Sequence, residues 1–148
     1  MEKTNTYTYF SITSNGVIDN RGLVGYENGI FNPDDITKML GIEPFRCWKK
    51  GDKRKNGTEY LFSSWSAEKS DINRLDIESQ CMQTINNLKC KIPILKEIKN
   101  QYNVDYAIII VPNIFGAEPP LMRFNKEIIN FCYHTDTTIE VDMYLFPD

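Results

Sequence analysis

The chain has 148 residues, 17 Lys+Arg against 20 Asp+Glu, and a formal net charge of −3. Its 41% hydrophobic and 25% charged content is that of a folded soluble domain, which argues against disorder and against wholesale coating of a polyanion. The longest apolar run, Tyr106 to Pro112, is far too short for a membrane-spanning helix, so no membrane partner is expected.

A chain of this size buries roughly 70% of the surface its unfolded form exposes, so a single globular domain over residues 1–148 is expected. The first six residues have no apolar core, and no signal peptide is expected. Cysteines at 47, 81, 90 and 132 form no CxxC and no zinc-knuckle spacing. Reduced thiols in a cytoplasm fit this pattern, with Cys81 and Cys90 read as pointing to opposite sides of one helix.

In chain order, Tyr7 to Thr13 is aromatic and β-branched and reads as a strand. Ser14 to Ile30 carries Gly16, Gly22, Gly25 and Gly29 without a phosphate-loop pattern, and reads as a long loop holding at most a short hairpin. Asn32-Pro33-Asp34-Asp35 opens a helix. Asn32 is the N-cap, Pro33 sits where no N–H is needed, and the aspartates suit the positive end of the dipole. Ile36, Met39 and Leu40 are its buried stripe, and Gly41 ends it. Phe45 to Lys49 and Thr58 to Trp65 read as two strands joined by a basic loop, with Asn56-Gly57 as a turn pair.

Leu75 to Lys89 reads as a helix through Leu75, Met82, Ile85 and Leu88. Pro93 is expected to interrupt it and to push Ile92 out of the helical region, before a second helical piece with Ile94, Leu95, Ile98 and Tyr102. Tyr106 to Val111 is apolar on both faces, as expected of a central strand. Asn113 to Arg123 reads as a long apolar lid or contact loop. Asn125 caps a short helix with Ile128, Ile129, Phe131 and Cys132. Ile139 to Leu145 alternates strictly and reads as a last strand.

The expected fold is therefore α+β: a mixed sheet of four to six strands, with helices mainly on one face. A weak internal echo of Phe31-Asn32-Pro33-Asp34-Asp35-Ile36 in Phe124-Asn125-Lys126-Glu127-Ile128-Ile129 is consistent with two strand–helix–strand halves.

The strongest local signal is charge. Arg46 to Lys55 holds six Lys+Arg and one acid, a local charge of +5 that leaves −8 on the rest of the chain. So dense a cluster belongs at the surface. The candidate binding residues are Arg46, Trp48, Lys49, Lys50, Lys53, Arg54, Lys55 and Trp65. Their chemistry is capture of carboxylates or phosphates by cations, with tryptophan as a stacking platform. The alternative is a solvated hairpin tip whose lysine stems cover Trp48.

Other constellations are thinner. His134 is the only histidine, so a His-based metal set is out of reach. Cys132, two residues away on a helix, does not face it, and pairing with the distant Cys47 is left open. Glu140 and Asp142 share one face of a strand roughly 7 Å apart, a spacing that suits an acid–base pair or a divalent ion, and equally the solvent face of an edge strand. No catalytic set, metal site or cofactor loop is read from the sequence.

Phe31-x-Pro33-x-x-Ile36-Thr37-x-x-Leu40-Gly41-Ile42-x-Pro44, then Trp48-x-x-Gly51-Asp52, then Ser64-Trp65-Ser66, resembles a bacterial domain family of unknown function, family 4279. The resemblance covers nearly the whole chain. It implies a small α+β domain of bacterial or phage origin and carries over no functional residue.

The expected function is a non-enzymatic binding module, a protein–protein or immunity/inhibitor-like protein with an acidic protein partner. The −8 on the rest of the chain disfavours the alternative, a nucleic-acid or nucleotide binder using the basic Trp hairpin. A hydrolase using Glu140 and Asp142 is the more distant alternative. The partner's identity and the oligomeric state are not legible in the sequence.

Overall fold

The computed structural model describes residues 2–26, 30–72 and 75–147. Gly29, read above as a turn glycine, lies outside them.

The first strand, β1 (Asn5–Ser14), is flanked by β6 (Val104–Phe115) and β5 (Ser64–Ser66), antiparallel to both. On the far side of β5 lies β4 (Arg46–Trp48), and on the far side of β6 lies β7 (Thr137–Val141), which runs parallel to it. The order is β4-β5-β1-β6-β7, a mixed sheet. The last strand, β8 (Tyr144–Phe146), continues β7 along β6. Val141 faces Ile110 and Tyr144 faces Asn113, so the register is unbroken across Asp142-Met143. The predicted strand from Ile139 to Leu145 is thus present as two pieces in one register.

Alternation along β1 and β6 sorts the two faces of the sheet. Phe10, Ile12, Tyr106, Ile108 and Ile110 point to one face and are buried there with Trp65. Four helices pack on that face: α1 (Pro33–Leu40), α2 (Ile77–Asn86), α3 (Ile92–Tyr102) and α4 (Lys126–Thr135). They contribute Ile36 and Leu40, Ile77, Cys81 and Ile85, Leu95 and Ile98, and Ile128 and Phe131 respectively. The fold is α+β, as expected. The second face of β6 is apolar because Ile109 and Val111 lie beside Tyr9 and Tyr7 of β1.

The helix ends form where the side chains place them. Asn32 Oδ1 accepts the Asp34 N–H at 3.0 Å, and Asn125 Oδ1 accepts the Ile128 N–H at 3.0 Å. Gly41 takes φ 67°, ψ 27°, and its N–H donates to the Thr37 carbonyl. The two helices of the sequence echo thus share an Asn cap. In the second half the strand after the helix, β7, runs parallel beside the strand before it, β6; in the first, β4 runs in the same direction as β1, with β5 between them.

Four expectations are corrected. Pro93 does not interrupt a helix; it sits in the first turn of α3, where its missing N–H has no intrahelical partner. Ile92 is helical (φ −53°, ψ −44°), because its packing and that of Ile94 against the core outweigh the bias imposed by a following proline. Cys81 and Cys90 are not on one helix, since α2 ends at Asn86 and Cys90 lies in a short 3-10 turn, Lys89–Lys91. The segment after Gly116 is no free lid. Leu121 pairs with the start of α2, its carbonyl accepting the Ile77 N–H and its N–H donating to the Leu75 carbonyl.

The segment read as a loop with a short hairpin does hold one: β2 (Gly16–Asp19) pairs with β3 (Gly22–Tyr26). Arg21 closes its turn on Asp19 at 2.6 Å.

Candidate binding surface

The basic block begins in β4 and ends in a compact tip. Arg46 pairs with Ser66 and Trp48 with Ser64, so both side chains stand on the face of the sheet turned away from the helices. Beyond Trp48 the backbone closes on itself. Gly51 N–H donates to the Tyr60 carbonyl, Tyr60 N–H to Asp52, and Arg54 N–H to Thr58. Asn56 Oδ1 accepts the Thr58 N–H at 3.0 Å, and Gly57 takes φ 87°, the positive value that suits glycine. The second predicted strand is therefore confined to Ser64–Ser66, and the residues before it build the tip.

Asp52 is the only acid in the block, and its carboxylate accepts the Lys49 backbone N–H at 2.8 Å. Arg46, Lys49, Lys50, Lys53, Arg54 and Lys55 are all exposed, and among the described residues none of them forms an ion pair.

The two arginines are fixed by rings. Arg46 lies over Trp48 at 5.3 Å and over Phe45 at 5.5 Å; Arg54 lies over Tyr60 at 4.6 Å. Trp48 and Tyr60 stack with centroids 4.3 Å apart and planes 14° from parallel, and Phe62 meets Trp48 edge-on. Lys69 extends the row, 4.4 Å from the Tyr7 ring and 5.2 Å from Phe45. Each such contact is worth about 0.5–1 kcal/mol at an exposed site.

Trp48 is thus half-buried and occupied: a base stacking on it would have to displace Tyr60 or Arg46. Trp65 is separated from the block altogether. It is 0% exposed on the helix-bearing face, and its indole N–H donates to Thr37 Oγ1 at 3.0 Å. It contributes to the core and offers no surface to a partner. Tyr60, Phe62, Phe45 and Lys69 were missed in the sequence. The available signal was Tyr60-x-Phe62, two rings on one side of an extended segment that folds back towards Trp48.

The remaining candidates do not assemble. Cys47 lies on the β4 edge, and His134 in the last turn of α4, which leads into the opposite edge strand. Burial, then the carboxylates of Asp34, Asp52 and Glu43, push the Cys47 thiol above its usual value, so it is no activated nucleophile. Burial also raises the Tyr9 hydroxyl; Arg46 beside it acts in the opposite sense, and Asp142 in the same sense as burial. Glu140 and Asp142 do project from one face, but Asp142 accepts the Tyr144 hydroxyl at 3.0 Å. Among the described residues, no three His, Cys, Asp or Glu side chains gather closely enough to hold a metal ion, and no helix is long and apolar enough to cross a membrane.

No curated protein and no solved structure matches this chain. A family model does: the domain of unknown function DUF4279 matches residues 4–146, nearly the whole length, and the chain belongs to that family.

Proposed function

We propose that this protein is a non-enzymatic binding module that captures an acidic segment of a protein partner on the Arg46–Lys55 tip. The observation that carries the reading is the set of six exposed cations with no ion-pair partner among the described residues, two of them held over aromatic rings. The occupied faces of Trp48 favour carboxylate capture over base stacking, and the −8 on the rest of the chain repels a long polyanion. We further propose a bacterial cytoplasm as its location, supported by four unpaired thiols and by the family resemblance.

The test uses two anionic probes of equal charge, an oligoglutamate peptide and a single-stranded oligonucleotide. Oligoglutamate should bind at low salt and dissociate steeply as salt rises, because exposed charges are screened over ~10 Å at 0.1 M. Changing Lys49, Lys50, Lys53 and Lys55 together to Gln should abolish that binding with little change in melting temperature, since exposed charges contribute only ~0–1 kcal/mol to folding. Preferential binding of the oligonucleotide would transfer the function to nucleic acid. Binding of neither probe would leave the block a solubilising tip.

A further inference from the structure

A second feature lies apart from the basic tip. Between the β2–β3 hairpin and the helix-free face of the sheet is a cavity of about 460 Å³. That is within the range of roughly 300–1,000 Å³ that holds small organic ligands.

Its walls are of two kinds. The hairpin side is apolar: Ile18 and Leu23 line it while remaining 76% and 56% exposed, and Tyr26 lies stacked on Phe62 with centroids 4.6 Å apart. Apolar side chains at a cavity rim gain free energy when an apolar body covers them. The sheet side is acidic. Its described lining holds Asp105, Asp136 and Glu140 against a single cation, Lys99.

These charges are not equivalent. Lys99 Nζ donates to the Asp136 carbonyl at 2.6 Å and to its carboxylate at 3.0 Å, so its charge is already committed. Asp105 accepts the Gly16 N–H at 2.8 Å and holds the hairpin against the sheet. Glu140 has no partner among the described residues. It projects from β7 beside Thr138 of the same face.

An anion would meet a net negative lining. A purely apolar ligand would draw the Glu140 carboxylate out of water without compensation. We infer that the cavity binds a small organic cation, a primary ammonium carried on a flat apolar body, with Glu140 as counter-ion and Ile18, Leu23, Tyr26 and Phe62 as the apolar wall. The inference does not rest on the acidic-partner reading, because none of the six tip cations lines the cavity.

The experiment titrates two probes of matched shape and opposite charge, phenethylammonium and 3-phenylpropionate, into the full chain and follows resonances by NMR. Phenethylammonium should give saturable shifts centred on Ile18, Leu23, Tyr26 and Thr138, and 3-phenylpropionate should not. Glu140→Gln should weaken phenethylammonium by roughly tenfold or more, the loss expected when a charge partner is removed. Leu23→Ser should weaken it as well. Equal response to both probes, shifts centred elsewhere, or no saturable shift at millimolar probe would overturn the inference. Unchanged affinity in a folded Glu140→Gln variant would do the same. Should that variant fail to fold, Leu23→Ser decides, and an unchanged affinity there overturns it.

Discussion

Trp48 lies flat against Tyr60, with ring centroids 4.3 Å apart and planes 14° from parallel. The contact joins β4 to the returning limb of the basic tip, and with Arg54 over Tyr60 it makes the tip a packed unit. A stacked aromatic pair contributes about 0.5–1.5 kcal/mol beyond its buried area. Tyr60→Ala should therefore destabilise the protein by at least about 1 kcal/mol and shift part of the tryptophan emission to longer wavelength as Trp48 is uncovered. Trp65, fully buried, should keep its emission. Unshifted emission would mean that Tyr60 does not cover Trp48 in solution.

The Trp65 indole N–H donates to Thr37 Oγ1, and the Thr37 hydroxyl in turn donates to the Pro33 carbonyl. Thr37→Val keeps the shape and removes the acceptor. An unsatisfied buried donor costs about 1–3 kcal/mol. Thr37→Ser, which keeps the hydroxyl, should retain most of the stability. Equal denaturation midpoints for the two variants would show that the hydroxyl contributes nothing there.

Gly41 ends α1 with φ 67°, and a Cβ built on it meets nothing within 4 Å. Any cost of substitution is therefore one of backbone conformation. Gly41→Val should destabilise by about 1–2 kcal/mol, and Gly41→Asn by distinctly less, because asparagine tolerates the left-handed region. A valine variant as stable as the parent would contradict this account.

The four thiols should divide by burial. Native-state alkylation should modify Cys47 and Cys90, and alkylation in denaturant all four. Burial pushes the Cys81 thiol from 9.0 to about 12, with nearby Cys132 and Glu78 adding to it, and burial pushes Cys132 to about 11. Both values are raised, so the fold favours the neutral thiols. Below pH 9 these groups are protonated in both states and make stability no function of pH. Above it the unfolded chain ionises first, and stability falls as pH rises towards 11 and 12. Denaturant midpoints should be level from pH 7 to 8.5 and lower at pH 10. The Cys81→Ala, Cys132→Ala double variant should show a shallower fall; a slope equal to the parent's would assign the alkaline loss elsewhere.

Local signals sufficed where one residue's chemistry decides the conformation. Asn32, Pro33 and Gly41 place both ends of α1, and Asn125 the start of α4, because capping is settled within four residues of chain. The aromatic and β-branched content of β1, the doubly apolar run in β6 and the alternation from Ile139 to Leu145 mark the strands, and the charge of Arg46 to Lys55 puts that block on the surface. Long-range packing decided the rest. Trp48 and Trp65 look alike in sequence, yet β4 turns one towards the open face and β5 turns the other into the core. Ile92 is helical before proline because its packing outweighs a local bias. The cavity needs residues from β1, the hairpin, β6 and β7, which come together only once the sheet is assembled. A side chain's surroundings are set by strand order and register, and these are properties of contacts between residues far apart in the chain.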